Sequence, residues 1–305
     1  MPFSHHSHSG EFCSHGKDTV EEIVQTAIGK KFQVYALTEH MPREEQDLYP
    51  EEIKSAHTAA TLSKQFHDYY YEALRLQKAY APEIKLLIGM EIDWIRPSSG
   101  QIIENLLSKY HFDLFVGSVH HVHTIPIDYD RKFYLEARER AGGTDGRLFE
   151  DYFDLQWEML KALKPPVVGH FDLIRLMSDD KDVRLSQWDG VWQRILRNLE
   201  FIAEYGGVVE LNSAALRKGM KEPYPAAEIC KEFLAMGGNF TLSDDSHGKD
   251  QVGTNYGKLL DFVKASGLST LTYFEKNVAT KDDRFPGVSS KSVTILNIKE
   301  HPFYF

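Results

Sequence analysis

Cysteine is almost missing from this chain: Cys13 and Cys230 are the only two in 305 residues. That is too few for a disulfide framework and suits a reducing compartment. Long apolar runs are missing as well. No stretch of about 18 apolar residues is present to cross a bilayer, and the opening MPFSHHSHSGEF has neither the basic nor the apolar block of a secretory leader. The expectation is a cytoplasmic protein with no membrane partner. Positive charge is in deficit, with 35 Lys and Arg against 45 Asp and Glu and a formal net charge of −10. Broad nucleic-acid binding needs a basic surface to displace counterions, so it is not expected here. A small anionic substrate stays admissible, because bound cations reverse the potential inside one cleft. Repeats and low-complexity tracts are absent, and nothing in the pattern points to a particular oligomeric state.

What the chain does have is a recurring kind of strand ending. Six apolar runs, VYALTEH (Val34–His40), LLIGME (Leu86–Glu91), LFVGSVHH (Leu114–His121), VVGHFD (Val167–Asp172), VVELNSA (Val208–Ala214) and FTLSDDSH (Phe240–His247), have the length and the β-branched or aromatic content of buried strands. The short stretch Phe3–His8 adds a seventh ending. Helix-length amphipathic segments separate them, at Asp18–Lys30, Leu62–Tyr80, Arg147–Leu163, Val191–Tyr205, Pro225–Met236 and Tyr256–Ala265, with Asp130–Gly146 as a charged excursion. This alternation predicts a parallel β/α barrel, in which residues far apart in sequence meet on the rim at the strand C-termini. A chain that is 42% apolar is long enough to fill one such core. We therefore expect a single domain over 1–305, with 266–305 as an extension packed on the barrel.

The endings carry metal chemistry. In a strand, residues i and i+2 share a face, so His6 and His8 point together, as do Asp245 and His247. With His15, His40, Glu91, His120 and His170 they make nine candidate ligands, too many for one ion and suited to two or three. Imidazole and carboxylate suit zinc, manganese or iron(II), and the shortage of thiolate excludes a structural zinc held by four cysteines. His5 and His121 alternate away from the site, His123 falls in the loop before Pro126, and His57, His67, His111 and His301 are expected to be solvated. Glu39, next to His40, is a candidate for proton transfer, and Asp172 for orienting His170. Arg175 and Arg217 are placed to clamp a phosphate with guanidinium forks.

At these residues the chain resembles the PHP (polymerase and histidinol phosphatase) family of phosphoesterases, and within it the fungal-type histidinol-phosphatase branch. The motifs are HSHSGEFCSHG, LTEH, IGMEID, GSVHH, VGHFDL, ELNSAALRK and LSDDSH, with connecting text such as IPIDYD and EPYP, between about His5 and Gly257. The resemblance implies a distorted seven-stranded (β/α)7 barrel with a trinuclear centre. His6, His8, Glu91 and Asp245 would hold one ion, His15, His40 and His247 a second, and Glu91 with His120 and His170 a third. Arg175, Arg217 and Asn212 would bind the substrate. The implied reaction is hydrolysis of the phosphate monoester L-histidinol phosphate, a step of histidine biosynthesis, by a water made acidic between two ions. Asp245, His247 and Glu39 are candidates to protonate the leaving alkoxide. Asp128, or the acids of Met41–Glu52, would recognise the ammonium or imidazole. Another small phosphate ester or a nucleotide is the alternative substrate. The chain departs from many bacterial members in two places, with one extra residue between His8 and His15 and Glu39 where those have Asp.

Overall fold

The structure is a computed structural model and describes residues 2–277 and 287–301. In chain order its elements are β1 (Phe3–Ser4), α1 (Val20–Gly29), β2 (Val34–Leu37), α2 (Pro50–Lys54), α3 (Ala59–Ala79), β3 (Lys85–Ile88), β4 (Glu91–Asp93), α4 (Ser99–Lys109), β5 (Val116–Ser118), β6 (His121–Val122), β7 (Ile125–Pro126), α5 (Arg131–Arg140) and α6 (Asp145–Leu163). Then follow β8 (Val167–Val168), α7 (Asp189–Tyr205), β9 (Val208–Asn212), α8 (Ala214–Arg217), α9 (Ala227–Ala235), β10 (Asn239–Ser243), α10 (Tyr256–Ala265), β11 (Thr270–Lys276), β12 (Val288–Thr294) and α11 (Ile295–Lys299). Among the described residues no helix is long and apolar enough to cross a membrane.

The central strands are parallel and form two sheets, β1-β2-β3 and β10-β9-β8-β5-β4. The expected single closed barrel is thus recorded as two pieces. Backbone hydrogen bonds link their edges: His5 N to Leu242 O and Asp245 N to His6 O join the β1 and β10 ends, Glu91 N to Thr38 O joins β2 to β4, and Val116 N to Met90 O ties the β3–β4 kink to β5. Tyr69 of α3, fully buried, places its hydroxyl between the carbonyls of Leu37 and Gly89 at the β2 and β3 ends, where Leu37 O also accepts from Gly89 N.

Helix ends follow local chemistry. Thr19 caps α1, in a capping box with Glu22, a motif worth about 1 kcal/mol. Gly206, at φ +75, closes α7 in the left-handed region. The excursion at Asp130–Gly146 contains α5, capped by the Asp130 side chain on Phe133 N. Of the three adjacent tyrosines, Tyr69 and Tyr70 are buried and Tyr71 is exposed.

The C-terminal segment adds an antiparallel hairpin, β11 with β12, followed directly by α11. Parts of the 266–305 extension, 278–286 and 302–305, lie outside the described residues. The hairpin is fastened through His5, whose Nε2 accepts from Phe274 N while Nδ1 donates to Thr241 Oγ1. That geometry requires a neutral ring, and burial lowers its pKa to about 4.

Candidate metal centre and phosphate cleft

The strand ends converge on Glu91, which stands at the start of β4 and is 1% exposed. Its Oε1 is 2.9 Å from His170 Nε2 and 3.3 Å from both His6 Nε2 and His120 Nε2; its Oε2 is 2.8 Å from His40 Nδ1 and 3.4 Å from His8 Nε2. Asp245 Oδ1 closes the other side, 3.6 Å from both His8 Nε2 and His247 Nδ1. His15 joins them with its ring centroid 4.9 Å from that of His247, so all nine expected ligands are gathered in one place. Potential donor atoms fall into sets within 4.8 Å of one another: His6, His8 and Glu91; His8, Asp245 and His247; Glu91, His120 and His170; and Cys13, His15, His40 and His247. Asp245 reaches its position from a left-handed backbone, φ +46, a conformation that costs a non-glycine residue about 1 kcal/mol or more.

The donor set fits divalent ions. Nε2 of His6, both ring nitrogens of His8 and Nε2 of His40 are buried without a hydrogen-bond partner among the described residues, a costly state that a cation relieves. Two nitrogens approaching one carboxylate oxygen, His120 Nε2 and His170 Nε2 at 3.2 Å from each other, have the spacing of ligands around one ion. Burial alone would raise the Glu91 carboxyl, but the positive potential of His6, His120 and His40 outweighs it and holds the group well below the usual carboxylate range. Burial and then the charge of His8 press His40 and His247 well below the ordinary imidazole value. Asp245 follows Glu91: burial opposes its ionisation and His6 and His247 overcome that.

A surrounding layer orients these ligands. Glu210 in β9 takes His6 Nδ1 at 3.0 Å and accepts from His170 N at 2.6 Å. Holding the proton on His6 Nδ1 leaves Nε2 as the donor atom. Asp93 in β4 accepts from His120 N and lies 2.9 Å from His121 Nδ1, so His121 faces away from the centre as expected. Neither acid was singled out from the sequence. Both sit two residues from one that was, Glu210 before Asn212 and Asp93 after Glu91, and the period of two that paired His6 with His8 would have found them.

The centre opens into a cavity of about 380 Å³ whose wall includes Asp128, Arg217, Lys218, Asp245, His247 and Tyr129, a size suited to a small molecule. Arg217 is fixed there by bonds to the carbonyls of Asp244 and Asp245 at 3.2 and 3.0 Å. Four expected site residues are elsewhere. Arg175 is 1% exposed and off the cavity wall; its Nε bonds Asp172 Oδ2 at 2.8 Å and its Nη1 bonds Lys181 O. Asp172 is thereby engaged with Arg175 and with Ala226 N rather than with His170. Asn212 is fully buried and spends its amide on Glu210 and Asp245, steadying ligands behind the cavity. Glu39 lies behind His8, with Oε1 accepting from Ser9 N and Ser9 Oγ and Oε2 3.6 Å from His8 Nδ1, and is off the cavity wall. His123 pairs with Asp151 at the surface.

The PHP-domain family model matches residues 4–214. The chain belongs to the PHP family. Among curated relatives, a probable histidinol-phosphatase of Schizosaccharomyces pombe is 41% identical over 301 residues, 98% of this chain and 96% of the relative. The histidinol-phosphatase of Saccharomyces cerevisiae is 35% identical over 307 residues, 90% of this chain and 92% of the relative. The crystal structure of the histidinol phosphate phosphatase of Lactococcus lactis, complexed with zinc, L-histidinol and phosphate, superposes with a TM-score of 0.68 at 20% identity, covering 90% of this chain and 96% of that one.

Proposed function

We infer that this PHP protein hydrolyses L-histidinol phosphate to L-histidinol and phosphate. The observation that carries the reading is the meeting of nine metal-competent groups around Glu91 and Asp245 at the floor of a cleft bearing Arg217; the names of the relatives supply the substrate. Two or three divalent ions, of zinc, manganese or iron, are held in the proposed scheme by His6, His8, Glu91 and Asp245; by His15, His40 and His247; and by Glu91, His120 and His170. When bound, they supply Lewis acidity and lower the pKa of a water nucleophile. The residues do the rest. Arg217, with Lys218 beside it, neutralises charge on the phosphate oxygens from a preset position. Asp245 and His247 are the groups within reach of the leaving oxygen. Asp128 and Glu51 face the substrate's ammonium, and the paired rings of Tyr49 and Tyr129, with centroids 5.7 Å apart, border the space for its imidazole. The edge bonds between the two sheets support a distorted seven-stranded barrel, counting β3 and β4 as one kinked strand with β1, β2, β5, β8, β9 and β10, in one domain extended by 266–305.

Phosphate release tests this. Protein purified without chelator should liberate phosphate from histidinol phosphate, lose that activity on stripping and regain it with zinc or manganese. Asp128→Asn should raise KM for histidinol phosphate while leaving a simple aryl phosphate unaffected. Activity indifferent to chelation, or an equal loss on both substrates, would overturn the mechanism and the recognition role respectively.

A further inference from the structure

Between β1 and α1 the chain folds back on itself. Gly10 N donates to Lys17 O, Cys13 N to Ser9 O and Gly16 N to Cys13 O. The return needs both glycines, since a Cβ at Gly10 would lie 2.5 Å from Lys17 Cα and one at Gly16 would lie 2.6 Å from Ser9 O. Held this way, Cys13 and His15 both face the metal centre. Cys13 is 5% exposed, and its Sγ is 3.3 Å from His15 Nε2. Sulfur and a nitrogen from each of His15, His40 and His247 all lie within 4.8 Å of one another. Around a tetrahedral zinc with bonds of about 2.3 Å to sulfur and 2.0 Å to nitrogen, neighbouring ligands stand roughly 3.5 Å apart; the Cys13–His15 separation is such an edge. The buried, unpartnered Nε2 of His40 points independently to a missing occupant.

We propose that Cys13 is a direct thiolate ligand of the ion held by His15, His40 and His247, completing a Cys–His₃ set. The proposal rests on the metal reading given above for those three histidines and adds a fourth, softer donor. On binding, the thiol proton leaves to solvent as the sulfur–metal bond forms. Thiolate favours zinc over manganese, so this one position selects zinc where an all-imidazole site accepts either. A site filled by four side chains has no vacant position, which leaves the Glu91 side of the centre to meet the phosphate.

The test is cobalt(II) substitution of the full-length stripped protein, with absorption spectra and metal counts read together. A near-ultraviolet sulfur-to-cobalt charge-transfer band is expected in the unaltered chain. It should be lost in Cys13→Ser and Cys13→Ala, and kept in Cys230→Ser, whose sulfur bonds Pro225 O in the core. Because the chain has only two cysteines, a band in Cys230→Ser assigns the ligand even where a Cys13 variant folds poorly. Losing an outer-shell partner already costs about 10–100-fold in metal affinity, so Cys13→Ser should weaken one zinc at least about 10-fold while manganese changes less. Cobalt bound without the band, or a band that survives Cys13→Ser, overturns the proposal. Phosphate release from histidinol phosphate, assayed on the same samples, separates the two readings: a band without turnover sinks the phosphatase assignment alone, and turnover without a band sinks the thiolate alone.

Discussion

At the scale of single residues, two arginines that look alike in sequence are given different work by burial. Arg217 follows β9 on a short helix and is held at the cavity by two backbone carbonyls, leaving its charge facing the cleft. Arg175 follows a histidine ligand by five positions, yet the turn after β8 carries it inward onto Asp172, where desolvation is offset by the ion pair. Arg217→Ala should keep the full metal count and lose roughly 10–100-fold in kcat/KM for phosphate esters, the equivalent of one charge-assisted hydrogen bond of about 1.5–3 kcal/mol. Arg175→Met should do the reverse. It leaves Asp172 buried without its partner, which costs about 3–5 kcal/mol of stability, while KM of the folded fraction stays near its original value. Denaturant titration alongside steady-state kinetics checks the pair, and a shared rise in KM would contradict this division.

At the scale of elements, a strand's contribution to the site alternates between the centre and its supports. Glu210 of β9 is fully buried and spans two ligands, His6 and His170. Glu210→Gln keeps the shape but removes the acceptor that fixes the His6 tautomer, so metal affinity should fall by about 10–100-fold with secondary structure intact; elemental analysis after dialysis against buffered zinc reads it. Unchanged metal content would make Glu210 a packing residue. How much of this was legible follows the same lines. Eight of the nine ligands could be read because they sit at the endings of strand-like runs, His15 because it belongs to the HSHSGEFCSHG motif, and α10 because its apolar positions keep the helical period. The α5 helix was hidden because its buried face is only Tyr134 and Ala137 in a charged segment. The positions of Arg175 and Glu39 depend on the path of a turn and on which neighbour reaches a carboxylate first, and neither is a local property of the sequence. The linkage of the two sheets depends on edge bonds between residues as distant as His5 and Leu242.

At the scale of the whole molecule, the ligands run from His6 to His247, and the ions would tie the β1 end to the β10 end. The link is a strained one without them. Asp245 holds a left-handed backbone, and the unpartnered nitrogens of His6, His8 and His40 are sealed from water. A metal that binds the folded chain and not the unfolded one stabilises it by about 2.7 kcal/mol per site at a free concentration 100 times its Kd. For a chain of this size each kcal/mol moves Tm by about 2 °C, so two occupied sites predict a fall of roughly 10 °C on chelation. Restoration should follow zinc concentration rather than ionic strength. The same titration on His8→Ala should show a smaller shift, because that imidazole borders both the His6–Glu91 and the Asp245–His247 sets. A Tm unmoved by chelator in protein shown to have carried two ions would mean that the β1 and β10 ends are held by their backbone hydrogen bonds alone, and that the centre is a passenger on the fold instead of part of its closure.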